Sequence, residues 1–547
     1  MWQETDFFSG EVMTKKGSLF ADATHTLAFW AGCLAVTIGV LLHIPMFLMG
    51  RFTHWELAGM PMGTPMLVGM GLIIAGTGAT AYGLLPRRRS HTLQFDEIVP
   101  PEDAPLTRAH WVQIMIICVA LIIDVMKPAT LGFVIPGMRT EYGLTFAGVA
   151  VLPFSGLLGT TIGSFLWGAL ADLYGRRATL LLAAVVFMGT SICGAMPSFA
   201  WNVAMCFLMG IGAGGMLPVS YALLAEIMPT RHRGWCLVLV GGIGSIGGYF
   251  ATSALSAWLQ PYFGWRIMWL IGLPTSLVII AVSPVFQESA RFLQSMGRLQ
   301  EARETLARFG ISFEEAVDKP KRRQEAPPVS PIRIRKLLGV TCALTLTALC
   351  VGFVNFGVLL WLPGSLMREG RSVGAASDLI ARSTLIAAPT ILLVTWLYSA
   401  WSTKRTLISA VAVTTLGLIA ILLRDAGGLT ILSNPVIPVV LLIVGTNGIV
   451  SMLLPYSAES YPIRVRGRAT GWVAGFSKGG GLFAQALGTL ALVPALGIAA
   501  GAVAVPCLLS MVLLAVLGRE THGHDLRELE GANLAHVTPE VSAVGLD

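Results

Sequence analysis

The chain has 547 residues, 54% of them hydrophobic and 12% charged, with a formal net charge of +7 and a mean hydropathy of +0.73. Soluble domains carry about 25% charge, so this composition has too little polar surface for a set of water-exposed domains and reads as an integral membrane protein. Apolar stretches of about 20 residues or longer match a helix crossing about 30 Å of hydrocarbon, which excludes a barrel and a soluble enzyme and leaves a helical bundle that satisfies its own backbone.

Taken in chain order, apolar runs between charged breaks predict fourteen helices. They lie near 27–49, 64–85, 111–136, 147–171, 178–196, 199–225, 235–259, 265–284, 337–362, 377–399, 406–423, 435–455, 469–493 and 496–518. The first run is of full length and follows 26 mixed polar residues, so no cleavable signal peptide is expected. Eight cysteines are scattered through apolar segments without paired spacing, which points to neither a disulfide framework nor a zinc site. No cofactor is implied.

Lysine and arginine in the loops set the expected orientation. With the N-terminus inside, 28 of the 37 basic residues fall on the cytoplasmic side, eleven of them in 285–336. Six fall outside (Arg51, Arg139, Arg266, Arg368, Arg371 and Arg424), and Lys127, Arg382 and Lys478 sit within spans. Both termini are therefore expected in the cytoplasm, in a multi-pass protein of the cell (inner) membrane. The positive charge reads as topology and contact with the lipid bilayer, not as nucleic-acid binding.

An internal repeat organises the chain. EIMPTRHRG at 226–234 returns as ESYPIRVRG at 459–467, so Glu226, Pro229, Arg233 and Gly234 recur as Glu459, Pro462, Arg466 and Gly467 at one offset of 233 residues. GALADLYGRR at 168–177 echoes in WLYSAWSTKR at 396–405, which keeps the terminal basic pair and the apolar frame. Two parallel six-helix halves follow. The expected domains are a two-helix extension and loop at 1–110, a first half at 111–284, a 52-residue linker at 285–336, a second half at 337–518 and a tail at 519–547.

GALADLYGRR resembles the signature between the second and third core helices of the major facilitator superfamily. QESARFLQSMGRLQEA at 287–302, GWR at 264–266 and GRETHGHDL at 518–526 resemble its sugar-porter, organic-ion and aromatic-acid branches. The resemblance covers about 111–530 and implies an all-α, 12-helix core of two six-helix halves, here with an N-terminal two-helix hairpin. In the first core helix Asp124, Gly132, Phe133 and Pro136 match the pattern of the aromatic-acid proton symporters, but Lys127 stands where that group has a second aspartate. Cys206 takes the place of a commonly basic residue, and the fifth core helix has Gly241, Gly244, Gly247 and Gly248 without the proline of drug antiporters. Uptake is favoured over efflux. Asp172, Arg176, Arg177, Glu226, Arg233, Glu288, Glu459, Arg466 and Glu520 resemble the family's charge network, which latches the halves on the inner side and makes alternating access bistable. Ala400 and Thr403, in place of an aspartate and a glycine, predict a weaker second latch.

Few polar groups lie at membrane depth, and each is expected to face a cavity or a partner. Asp124 and Lys127, three apart on one helix, form either a permanent ion pair or a working pair in which Asp124 exchanges a proton and Lys127 attracts an anion. Arg382 is either a snorkelling side chain or a carboxylate clamp. Lys478 reads as packing near the cytoplasmic mouth or as a substrate contact. Tyr221, Asn355, Trp361, Asn447, Tyr456 and Trp472 complete the candidate substrate-binding set, each with helix packing or lipid contact as the alternative. One acid against three bases favours an anion. The scarcity of amide and carboxylate groups disfavours a sugar, and an apolar or aromatic organic acid fits best.

In the extension, Gly71, Ala75, Ala79 and Gly83 predict a small-residue seam. His43, Met46, Met49, His54, Met60, Met62, Met66 and Met70 read as packing or as Cu(I) ligands. The favoured function is proton-coupled symport of a small organic anion. An efflux antiporter, a transporter-like sensor and a copper-linked transporter are the alternatives, and no metal site is assigned. No motif supplies a nucleophile with its base, so an enzyme is not expected.

Overall fold

The computed structural model describes residues 23–85, 104–312, 334–427, 434–461 and 463–522. The basic run at Arg87, Arg88 and Arg89, much of the linker and most of the tail lie outside the described residues, as does the side chain of Arg466. All described regular structure is helical. In chain order the helices are α1 (Ala23–Leu41), α2 (Ile44–Met49), α3 (Thr64–Leu84), α4 (Arg108–Glu141), α5 (Phe146–Tyr174), α6 (Arg176–Gly189), α7 (Phe199–Ala213), α8 (Met216–Ile227), α9 (Thr230–Phe263), α10 (Ile267–Leu270), α11 (Gly272–Ala281), α12 (Ala290–Ser295) and α13 (Leu299–Arg308). The second half supplies α14 (Ile334–Phe353), a π-helical turn (Val354–Val358), α15 (Leu359–Arg368), α16 (Val373–Ala387), α17 (Thr390–Ala400), α18 (Thr403–Asp425), α19 (Val436–Ser460), α20 (Ile463–Thr489) and α21 (Leu496–Leu517).

Twelve segments among the described residues are long and apolar enough to cross a membrane. Two of the fourteen expected spans differ. The stretch expected at 265–284 is short and broken, with Ile267–Ala281 as its apolar helix. The stretch expected at 469–493 belongs to α20, whose charges and glycines leave it less apolar because one side faces an interior cavity and not lipid.

The two halves pack by the same device. In the first, α4 lies against α9 at Gly248, where a Cβ would come within 2.8 Å of the Ile122 carbonyl. In the second, α14 lies against α20 at Gly480, where a Cβ would meet the Leu349 carbonyl at 2.1 Å. Helix backbones approach this closely only where the side chain is a hydrogen. The halves meet through α4 on α15, α5 on α20, and α9 on both α16 and α19.

The extension is a hairpin of α1 and α3, whose seam keeps Gly83 of the expected stripe but not Gly71 or Ala75. Gly71 is exposed with open space around it, and Ala75 is exposed as well. Contact runs instead through Gly69, Gly76 and Gly83, spaced by seven. Added Cβ atoms there would come within 2.6 Å of the Gly39 carbonyl, 2.7 Å of the Gly32 carbonyl and 2.7 Å of the His25 carbonyl. A seven-residue step drifts by only about 20° around a helix, whereas a four-residue step drifts by about 40°, so the expected stripe wraps towards the lipid side. The hairpin packs on α6, with Ile73 against Gly189. Its loop also docks: the Leu57 and Ala58 N–H groups donate to Glu141 at 2.7 and 3.0 Å, and Leu57 is fully buried. Met46 and Met66 are buried in the hydrophobic core, and Met49 is exposed. No group of three or more His, Cys, Asp or Glu side chains placed to hold a metal occurs among the described residues.

Candidate functional site

A cavity of about 190 Å³ lies between the halves. Its walls come from α4, α5, the end of α7, α8, α9, α14, the π-helical turn, α15, α19 and α20. Among the described residues, Asp124 and Lys478 are the only charged groups lining it, one from each half. Asp124 is 6% exposed, and its Oδ1 has no hydrogen-bond partner. Pro128, one turn later in α4, also lines the cavity. Lacking an N–H, it cannot supply the helical donor to the Asp124 carbonyl.

Lys478, on α20, is the oppositely charged residue of the same lining. Its Nζ donates to the Thr160 carbonyl at 3.3 Å and to Ser164 Oγ, both on α5 of the other half. Asn447 is held in place by its Nδ2 donating to the Ile443 carbonyl at 2.9 Å, while its Oδ1 accepts from Ser245 Oγ across the cavity. Asn355 sits in the π-helical turn, a distortion that occurs often at functional sites because it re-aims side chains and frees carbonyls. One such carbonyl, that of Phe356, accepts from Gln485 Nε2.

The expected pairing of Asp124 with Lys127 is not made. Lys127 points away from the cavity, donating from Nζ to the Phe187 carbonyl at 2.5 Å and to Thr190 Oγ1 at 3.2 Å, with the Phe187 ring centroid 3.6 Å away. Residues three apart are about 60° apart around a helix, enough to send the two side chains to different neighbours.

Five other expected contacts lie outside the cavity lining. Arg382 is exposed and paired with Asp378 at 2.8 Å, one turn earlier. Trp361 lines a separate cavity. Trp472 is half exposed and donates to Thr345 Oγ1. Tyr456 is buried, its OH donating to the Arg519 carbonyl at 2.6 Å. Tyr221 packs behind the wall, its OH filling the space a Cβ at Gly241 would take.

Sequence reasoning missed Ser245, Tyr249, Thr160 and Ser477 as lining residues. The first two were legible as a face, since Gly241, Ser245 and Tyr249 follow at four-residue steps.

The repeated motifs gather at one end of the bundle, here termed the motif end. Arg176 bridges Asp172 at 3.3 Å and Glu226 at 2.9 Å. Glu288 accepts the backbone N–H groups of Arg176 and Arg177 at 3.0 and 3.1 Å, capping the N-terminus of α6. Arg177 donates to the Ser283 carbonyl at 2.6 Å. In the second half hydroxyls replace the missing charges. Glu520 accepts from Ser402 Oγ, Thr403 Oγ1 and the Thr403 N–H at the start of α18, and Glu459 accepts from Tyr398 OH and Thr521 Oγ1, each at 2.8 Å. Burial pushes the Glu520 carboxyl up, but these hydrogen bonds outweigh it and hold it at about 2. The halves touch here too, since a Cβ at Gly234 would lie 3.0 Å from Glu459 Oε1. Arg233 lies at this end, one residue before Gly234 at the start of α9.

The Major Facilitator Superfamily model matches residues 116–484, more than half of the chain. The chain belongs to the major facilitator superfamily. It is similar to the niacin transporter NiaP of Acinetobacter baylyi, 26% identical over 441 residues that span 78% of this chain and 98% of the relative. It is also similar to the 4-hydroxybenzoate transporter PcaK of the same organism, 28% identical over 71% of this chain and 86% of the relative. Among solved structures, the proton:xylose symporter XylE matches with a TM-score of 0.61 and 19% identity, covering 77% of this chain and 98% of that one. The protein is thus a multi-pass membrane transporter of this superfamily and not an enzyme.

Proposed function

We propose that this major facilitator protein carries a small aromatic carboxylate by alternating access, in symport with protons, with Asp124 as the proton-coupling residue and Lys478 as the charge that meets the substrate. One observation carries the reading: a buried carboxylate with a free oxygen and a single lysine face one enclosed cavity from opposite halves. An anion entering between them competes for Lys478, and the loss of that counter-charge makes protonation of Asp124 more favourable. Binding and proton uptake are then linked. Apolar walls from Phe133, Phe356, Leu359 and Val450 suit a ring better than a sugar. The chain's similarity to niacin and 4-hydroxybenzoate transporters supports the same class. Asn355, Asn447, Ser245 and Tyr249 are proposed to orient the ligand. The motif end is proposed to be cytoplasmic from its basic residues, with the protein in the inner membrane, both termini inside and residues 1–110 as an accessory unit.

The test is uptake of labelled nicotinate and 4-hydroxybenzoate into proteoliposomes under an imposed pH gradient. Asp124→Asn is expected to abolish gradient-driven uptake while counterflow exchange persists, because exchange never returns an empty, unprotonated carrier. Full gradient-driven uptake by that variant would remove Asp124 from the coupling role.

A further inference from the structure

A second cavity, of about 500 Å³, lies beyond the first at the end of the bundle opposite the motifs. The two share only Gly132 and Leu360 among their lining residues. Gly132 sits where a Cβ would come within 2.9 Å of the Leu360 carbonyl, so this contact between the halves is the partition between the chambers.

The charge of the second chamber is one-sided. Arg139 and Arg368 are the charged residues that line it, and both are exposed. They end α4 and α15, equivalent places in the two halves. Among the described residues neither forms an ion pair, because the neighbouring acids are committed elsewhere: Glu141 to Arg266 at 2.5 Å and Glu369 to Arg424 at 2.5 Å. The walls also hold aromatic groups, Trp361 and Phe146, with the Arg368 guanidinium 5.9 Å from the Phe146 ring centroid. Gln485 keeps a buried Oε1 without a hydrogen-bond partner there.

We infer that this chamber is a second, transient binding site for an aromatic monocarboxylate, in which Arg139 and Arg368 select the anion before it passes the Gly132–Leu360 partition. Two unneutralised guanidinium groups at the mouth of a low-dielectric cleft raise the local concentration of anions, and planar cations over aromatic walls match a flat acid. The inference rests on the carboxylate reading of the central site only for the identity of the ligand. A purely structural role, complementing the C-terminal ends of two helix dipoles, would change stability and leave anion preference untouched.

The experiment reads the chamber without relying on transport. Gly364, in its wall, is replaced (Gly364→Cys) in a chain whose one exposed native cysteine is removed (Cys342→Ser). Labelling is then followed in proteoliposomes with impermeant anionic sulfonatoethyl and cationic trimethylammonioethyl methanethiosulfonates. The anion-to-cation rate ratio is expected to exceed that of the R139Q/R368Q background by at least about tenfold, to fall with added salt, and to return in R139K/R368K. Benzoate should slow labelling more than benzamide does, and the difference should vanish in R139Q/R368Q. Equal rate ratios in the three backgrounds, or equal protection by the two probes, overturns the inference. If these selectivities hold but no aromatic acid is carried, the central-site reading fails and the chamber stands; if acids are carried without the selectivities, only the chamber fails.

Discussion

At the scale of single residues, the two membrane-buried lysines divide the work between them. Lys478 shares the cavity with Asp124, whereas Lys127 is tied to a carbonyl, a hydroxyl and a ring inside the first half. Lys478→Gln is therefore expected to raise KM for a carboxylate at least about tenfold, the equivalent of about 1.4 kcal/mol, and to leave KM for the neutral amide nearly unchanged. Lys127→Met is expected to leave both KM values alone and to lower stability by about 1–3 kcal/mol, because the Thr190 hydroxyl loses its buried donor and the Phe187 carbonyl keeps only that of Thr190 among side chains. Substrate kinetics beside thermal unfolding in detergent separates the two. An effect of Lys127→Met confined to carboxylate KM would return that lysine to the site. Nothing in the local sequence distinguishes these lysines, since each lies in an apolar helix near glycine or proline.

At the scale of elements, the hairpin shows how much a glycine's position matters. Gly76 faces the Gly32 carbonyl, and Gly71, less than two turns away, faces open space. Gly76→Leu is expected to drive α1 from α3 and cost about 1–3 kcal/mol by overpacking, whereas Gly71→Leu is expected to be neutral. Cysteine cross-linking between α1 and α3 reports the separation. Substrate specificity should survive it, because the hairpin packs on α6 and contributes no residue to the central cavity. A changed substrate preference in Gly76→Leu would give the hairpin a part in transport. The hairpin's helices were readable from hydropathy, but its packing face was not: both helices are apolar nearly all round, so periodicity marks no side.

At the scale of the whole molecule, the motif end closes each half with a carboxylate on a helix N-terminus, Glu288 on α6 and Glu520 on α18. The second closure uses the hydroxyl donors Ser402 and Thr403, and Thr403, which stands in place of a glycine, donates directly to Glu520. Glu520 has an ordinary value of 4.5 and is held at about 2 in the folded protein. A depressed carboxyl contributes stability that is complete above its unfolded value and is lost as pH falls through the folded one. Between pH 4.5 and 2 the melting temperature should thus fall more steeply in the wild type than in Glu520→Gln, measured by thermal unfolding across that range. Parallel slopes would remove Glu520 from the latch.

Length, hydropathy and the 233-residue repeat by themselves determined the helical class, the two halves and the positions of nearly every span, because a bilayer imposes its thickness and its demand for satisfied backbone on the sequence directly. The motif residues were legible for the same kind of reason: Asp172, Arg176 and Glu226 are charged residues at the ends of apolar runs, and they do meet. Only the tertiary structure decided which buried charge faces which. Asp124 and Lys478 lie 354 positions apart, and their meeting depends on how α4 and α20 rotate and close around a shared cavity. That rotation is set by packing against neighbouring helices at glycines such as Gly248 and Gly480, and a helix that is apolar on most sides carries no one-dimensional record of the angle at which it packs.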